Sequence, residues 1–162
     1  MDPRRRWLLR GRVATEPVAV PRPPWAIESP GVFTDVCTRC DRCIEVCPVH
    51  ILARGDGGFP EVRFTQSGCT ECGECVNVCE PHALVRHPGA TPWRWRVSIT
   101  SSCLAQRQVE CRVCGEVCEH AAIRFRPQLG RVAQPVASVD ACTGCGECVA
   151  RCPAQAIDLP LP

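Results

Sequence analysis

The stretch CTRCDRCIEVC, residues 37–47, places four cysteines within eleven residues at the spacing C-x2-C-x2-C-x3-C. The spacing recurs twice along the 162-residue chain, and a further group departs from it at one step, where seven residues instead of two separate its first two cysteines. The groups are motif 1 (Cys37, Cys40, Cys43 and Cys47), motif 2 (Cys69, Cys72, Cys75 and Cys79), motif 3 (Cys103, Cys111, Cys114 and Cys118) and motif 4 (Cys142, Cys145, Cys148 and Cys152). All 16 cysteines therefore fall into four sets of four.

This spacing is typical of a loop that binds a [4Fe-4S] cluster through three thiolates, with the fourth cysteine on the helical turn that follows. In two-cluster ferredoxins that fourth cysteine binds the neighbouring cluster. Such crossover pairing would combine Cys37, Cys40 and Cys43 with Cys79; Cys69, Cys72 and Cys75 with Cys47; Cys103, Cys111 and Cys114 with Cys152; and Cys142, Cys145 and Cys148 with Cys118. Pairing of the four cysteines within each motif is the alternative, and the sequence alone does not decide between the two.

Zinc and disulfide bonds are the other common uses of clustered cysteine, and both fit less well. Structural zinc sites pair two C-x2-C knuckles across a longer spacer, whereas each regular motif here spans only eleven residues. Disulfide-rich domains are secreted, and the basic start of this chain carries no apolar segment of the length an export signal or a membrane span needs. We therefore expect iron–sulfur clusters in a reducing compartment.

Motif 3 decides whether the chain holds three clusters or four. Its C-x2-C-x3-C part, from Cys111 to Cys118, is intact, and only the segment back to Cys103 is longer. Loops tolerate added length at little entropic cost, and a degenerate site would usually have lost a ligand. The sequence therefore favours four clusters, with the added residues between Cys103 and Cys111 forming a surface loop.

The repeats predict an α+β fold of two tandem units, each like a bacterial two-[4Fe-4S] ferredoxin, built from short helices and strands and stabilised by the clusters. An apolar pair follows the last cysteine of every motif: Ile51-Leu52, Ala83-Leu84, Ala122-Ile123 and Ala156-Ile157. The predicted division is a basic, proline-rich arm (1–36), a first motif pair (37–84), a linker (85–100) and a second motif pair (101–162).

Other features of the chain do not indicate an active site. No catalytic triad, carboxylate pair or phosphate-binding loop is evident, so we expect a protein that is not an enzyme. A net charge of +2 gives no general preference for nucleic acid, and the WRWR run (Trp93–Arg96) is interpreted as a linker strand with one packed face. His50 and His82, three residues after a last cysteine, are interpreted as polar turn residues, because the thiol complement is complete.

The residues that flank the motifs resemble the ferredoxin-type NapF family of periplasmic nitrate reductase systems. The similarity lies in the basic arm, the RPPW run, the stretched motif 3 and two segments between motifs: Arg5–Arg12, Arg22–Trp25, Cys103–Cys114, Ile51–Val62 and Ala122–Pro127. Together these stretches extend over nearly the whole chain, and they are more specific than the cysteine spacing alone.

The resemblance implies a cytoplasmic protein that acts on the precursor of the catalytic, molybdenum-containing subunit NapA before export, by supplying electrons or by aiding the loading of its iron–sulfur cluster. Arg4, Arg5 and Arg6 in the arm are the candidate partner-binding residues, since the arm resembles a twin-arginine pattern but lacks the apolar segment of an export signal. The alternative is a soluble electron-transfer polyferredoxin that links two redox enzymes.

Overall fold

The computed structural model describes residues 21–27 and 30–160, so the predicted partner-binding residues Arg4, Arg5 and Arg6 lie outside the described part. Its helices are α1 (Pro30–Val36), α2 (Arg42–Glu45), α3 (Glu74–Asn77), α4 (Val113–Glu116) and α5 (Glu147–Arg151). Its strands are β1 (Leu52–Arg54), β2 (Pro60–Val62), β3 (Ser98–Ile99), β4 (Ile123–Gln128), β5 (Arg131–Ala137) and β6 (Ile157–Asp158). None of the helices in this described part is long and apolar enough to cross a membrane.

Each cysteine motif contributes one helix of four or five residues, and three of these helices start in the same way. Asp41, Gly73 and Gly146 precede α2, α3 and α5 with φ of 62°, 83° and 81°. This left-handed residue turns the chain so that the third cysteine of the motif lies on the helix. Helices this short are not stable in isolation, so their conformation depends on the packing around the motifs.

The two motif pairs form two similar units of short strands. In each unit an antiparallel hairpin follows the first motif: β1 pairs with β2 in the first unit, and β4 pairs with β5 in the second. The end of each unit returns to its beginning, through β3 with β6 in the second unit and through an antiparallel bridge from Ala26 to Leu84 in the first. The chain is therefore a tandem of two small mixed α and β units, as the repeats predicted.

The apolar pairs after the motifs form the core of both units. All eight of these side chains are buried: Ile51, Leu52, Ala83, Leu84, Ala122, Ile123, Ala156 and Ile157. In each pair the preceding residue has a positive φ, which brings the chain sharply from the last cysteine into the strand or bridge. The core is small, and cysteines of every motif contribute to it.

The end of the predicted arm packs against both the predicted linker and the first unit. The backbone N–H of Trp25 donates to the carbonyl of Pro92 at 2.8 Å, and its indole Nε1 donates to Ala90 at 3.2 Å. Trp93 returns the contact by donating from Nε1 to the carbonyl of Arg22 at 2.9 Å. Helix α1, which also lies in the predicted arm, places Phe33 in the same core. The division into arm, motif pairs and linker stays a prediction. The described residues of the predicted arm, 21–27 and 30–36, lie next to the first motif pair.

Three aromatic side chains between the motif pairs form a compact group. The rings of Trp93 and Trp95 stack in parallel with centroids 5.1 Å apart, and Phe64 meets both edge-on at 5.6 and 6.3 Å. The WRWR run thus has the predicted packed face, although the strand itself is limited to Ser98–Ile99. The Phe64 ring lies beside the motif 4 loop, because a Cβ on Gly146 would come within 2.5 Å of its ring atoms.

We expect Phe33→Ala to lower the free energy of unfolding by about 3 kcal/mol, since truncation of a buried phenylalanine removes apolar contacts and leaves a cavity. Phe33 is 1% exposed, whereas Val32 on the same helix is 43% exposed. Val32→Ala is therefore the matched control, with an expected change of less than about 0.5 kcal/mol. Thermal unfolding followed by circular dichroism measures both, and equal effects would contradict the placement of α1.

Candidate iron–sulfur centres

The described structure contains four cavities that are each lined by four cysteines. We name them site A (Cys37, Cys40, Cys43 and Cys79), site B (Cys47, Cys69, Cys72 and Cys75), site C (Cys103, Cys111, Cys114 and Cys152) and site D (Cys118, Cys142, Cys145 and Cys148). The rest of each lining is largely apolar, for example Phe33 and Leu84 in site A and Ile99 and Phe125 in site C. All 16 sequence-predicted cysteines therefore meet in groups of four.

The grouping follows the crossover pattern and not the motifs. Each cavity is lined by the first three cysteines of one motif and by the last cysteine of the other motif in the same unit. Cys47 leaves motif 1 to line site B, and Cys79 leaves motif 2 to line site A. The fourth cysteine can reach across because the short helix that carries the third cysteine directs the chain away from its own loop. That these thiols bind clusters stays a prediction.

The cysteines of one site are not arranged to bind a single metal ion together. Among the described residues, no three or more histidine, cysteine, aspartate or glutamate side chains are grouped so that they could hold a metal ion. A cubane cluster instead presents its irons at separate corners, so its thiolates surround a volume and do not converge on a point. Four thiols around one apolar cavity therefore fit a [4Fe-4S] cluster, the group that this ligand spacing is known to hold.

Burial makes several of these thiols harder to deprotonate when no iron is bound. It raises the pKa of Cys75 and Cys148 to about 12, and the charges of neighbouring thiols add to the effect. Cys69 is raised to about 12 as well, and Cys43 and Cys114 to about 11, with burial again the main cause. Iron must therefore displace protons when it binds here, which couples cluster loading to folding of the site.

The same electrostatics show that the two sites of a unit are neighbours. The thiols that raise the pKa of Cys75 in site B include Cys43 of site A. The thiols that raise the pKa of Cys148 in site D include Cys114 of site C. Each unit thus holds an adjacent pair, A with B and C with D.

Site A has the most polar edge. Cys40 is exposed, and a hydrogen bond with Arg42 is the main cause that lowers its pKa. Arg42 also forms an ion pair with Glu80, the residue that follows Cys79. The carboxylate at position 80 is therefore paired with a cation beside site A, which offsets its negative charge near the thiols.

The stretched loop of motif 3 is folded against the second unit. Cys103 lines site C, and Ala105 two residues later is completely buried in a small cluster with Cys103 and Ala156. Gln134 of β5 donates from Nε2 to the carbonyl of Ala105 at 2.7 Å. The prediction of a surface loop is therefore correct for residues 106–110, which are all exposed, but the first turn of the loop packs inside the unit. Only the later residues, such as Val109 at 51%, are exposed.

His50 and His82 occupy equivalent turn positions and line none of the four sites. Both are exposed, with φ of 50° and 56°, and Ala121 and Gln155 adopt the same conformation after motifs 3 and 4. The interpretation as turn residues is consistent with this geometry. His120 is the histidine that sequence reasoning missed: it lines site D and makes a 3.1 Å contact with Glu71 of motif 2.

Comparison with known proteins agrees with this arrangement. The family model described as a 4Fe-4S dicluster domain matches residues 36–83 and 109–156. The second match begins after Cys103, so the assignment of that residue to site C rests on the geometry of this chain. Two curated relatives carry the description ferredoxin-type protein NapF. The protein from Haemophilus influenzae is 50% identical over 138 residues, 85% of this chain and 77% of the relative. The protein from Escherichia coli K12 is 41% identical over 157 residues, 97% of this chain and 94% of the relative.

Two matches to a dicluster model cover both motif pairs except for Cys103, and the similarity to the relatives continues through the segments outside them. An iron–sulfur protein with this arrangement of motifs is more than a pair of generic ferredoxin domains. On this evidence the chain belongs to the ferredoxin-type NapF family of [4Fe-4S] proteins.

Proposed function

We propose that the chain carries four [4Fe-4S] clusters, one in each of sites A to D, with the crossover ligand sets. The observation that carries this proposal is that every one of the 16 cysteines lines a four-cysteine cavity and none is left over. The clusters supply one-electron transfer, and the buried thiols hold them in an apolar environment. The buried part of the motif 3 loop supports the fourth cluster, because it fixes Cys103 at site C.

The proposed role is that of a cytoplasmic accessory in the maturation of the periplasmic nitrate reductase subunit NapA before export. It would supply electrons to the precursor or aid the loading of its iron–sulfur cluster. Family membership and the resemblance in the arm, the RPPW run and motif 3 support this role. The largely apolar lining of the four cysteine cavities supports electron transfer as the chemistry of the bound clusters.

A soluble polyferredoxin that links two redox enzymes is the second candidate. A specific observation favours it: the backbone N–H of Cys69 in site B donates to the carbonyl of Cys145 in site D at 2.7 Å. Direct contact between sites of different units is what a continuous electron path needs. Both candidates require loaded clusters, and they differ in the partner that receives the electrons.

Iron counting in paired variants tests both the number of clusters and the ligand sets. We expect about sixteen irons per chain in the unaltered protein and about twelve in Cys103→Ala, at four irons per cluster. Crossover pairing predicts that adding Cys152→Ala causes no further loss, whereas adding Cys118→Ala lowers the count to about eight. Pairing within motifs predicts the reverse order. Ser102→Ala, an exposed neighbour, is the control and should keep all the iron.

Removal of iron should unfold most of the chain. The helices have four to seven residues and the core is thin, so cluster binding must supply much of the folding free energy. Far-ultraviolet circular dichroism before and after anaerobic chelation measures the effect, and reconstitution with iron and sulfide should restore the spectrum. Retention of the secondary structure in iron-free protein would show that the clusters are not needed for the fold.

The partner is tested by co-purification with the signal-bearing NapA precursor. We expect the chain to retain the unexported precursor, and we expect Arg4, Arg5 and Arg6 changed together to alanine to weaken the association at least tenfold without loss of iron. The matched control removes three arginines from the β4–β5 hairpin: Arg124, Arg126 and Arg131. Equal loss in both triple variants would contradict a specific role of the arm, and no association in the unaltered protein would contradict the maturation role.

A further inference from the structure

The loops of motif 2 and motif 4 meet at a contact that the tandem repeat does not itself require. The N–H of Cys69 donates to the carbonyl of Cys145 at 2.7 Å, and the N–H of the preceding residue, Gly68, donates to Oε2 of Glu147 at 2.6 Å. Cys69 lines site B and Cys145 lines site D. We call these four residues the inter-unit junction.

The junction is closed tightly around Gly68. A Cβ atom at this position would lie 2.7 Å from the carbonyl oxygen of Cys145 and would overlap the backbone of Glu147. Glu147 is itself held in place by Arg151, whose Nε lies 2.8 Å from Oε1. Only a glycine lets the two cysteine loops approach so closely, which makes the contact a specific feature and not a loose surface encounter.

A second link joins the motif 2 loop to the turn that follows motif 3. Glu71, between Cys69 and Cys72, lies 3.1 Å from Nε2 of His120, which lines site D. The hydrogen bond from Cys69 to Cys145 connects a site B thiol to a site D thiol through the bonds of Cys69, one hydrogen bond and the bonds of Cys145. Apart from the two cysteine side chains themselves, this path runs through backbone atoms alone.

We propose that the Cys69–Cys145 hydrogen bond is the electron-transfer junction between the two units, so that the sites form one path in the order A, B, D, C. The inference rests on the proposed loading of all four sites. Within each unit A adjoins B and D adjoins C, so the junction joins the inner members and leaves A and C at the ends. One electron leaves the reduced cluster at site B, which is oxidised, and reduces the cluster at site D, and no proton is transferred. A low-potential one-electron donor supplies the electron, with dithionite as the donor in the test.

Electron paramagnetic resonance of variants with two loaded sites tests this order directly. Cys40→Ala with Cys111→Ala removes sites A and C and leaves the inner pair. Cys72→Ala with Cys148→Ala removes sites B and D and leaves the outer pair. After reduction with dithionite, we expect magnetic coupling between the two clusters of the inner pair and uncoupled spectra for the outer pair. Coupling in the outer pair, or its absence in an inner pair that holds about eight irons, at four per cluster, would overturn the proposal.

A second experiment keeps all 16 cysteines and tests the same proposal if one of the double-cysteine variants does not hold its iron. Gly68→Ala should abolish the coupling between units and slow electron transfer from site B to site D at least tenfold, with iron content and coupling within each unit unchanged. Gly31→Ala is the control, because a Cβ there meets no atom within 4 Å. Unchanged inter-unit coupling in Gly68→Ala would overturn the junction, whereas fewer than about sixteen irons in the unaltered protein, at four per cluster, would count against the four-cluster proposal instead.

Discussion

The reach of the fourth cysteine of each motif into the cavity of its partner motif is the constraint on which the rest of the structure depends. Cys47 and Cys79 exchange places in the first unit, and Cys118 and Cys152 do so in the second. Each motif therefore completes the site of the other, and neither can form a full site alone. The short helices, the sharp turns after the last cysteines and the buried apolar pairs all serve to hold this exchange in place.

The sequence predicted the parts that repeat locally. Cysteine spacing gave the four sets of thiols, and the pairs from Ile51-Leu52 to Ala156-Ile157 marked the core, because these patterns are complete within one motif. The strands were predicted less well. The WRWR run was predicted to be a strand, but the strand in this region is Ser98–Ile99, and β5, which contains Pro135, was not predicted. A strand that contains proline and does not alternate apolar with polar residues is difficult to predict from its own sequence, because its pairing depends on the partner strand.

The contacts that no local pattern could reveal are those between distant segments. Trp25 forms hydrogen bonds with Pro92, Ala90 and Val85, and Gly68 forms one with Glu147. Nothing near Trp25 in the sequence indicates a partner far along the chain. The sequence therefore predicts that the proline-rich run belongs to an arm, although Trp25 is buried. Gly68 lies outside the cysteine motif proper, and its importance becomes visible only where a Cβ would overlap another loop.

The contact between Gln134 and the stretched loop means that two length differences between the units belong together. The hairpin of the second unit has strands of six and seven residues, against three and three in the first. From this longer hairpin Gln134 reaches the carbonyl of Ala105, while Phe125 and Val132 pack beside Cys103. The motif 3 loop and the hairpin of the second unit therefore form a single structural unit. A designer who transplants the long spacing of motif 3 into another ferredoxin has to transplant residues 123–137 with it.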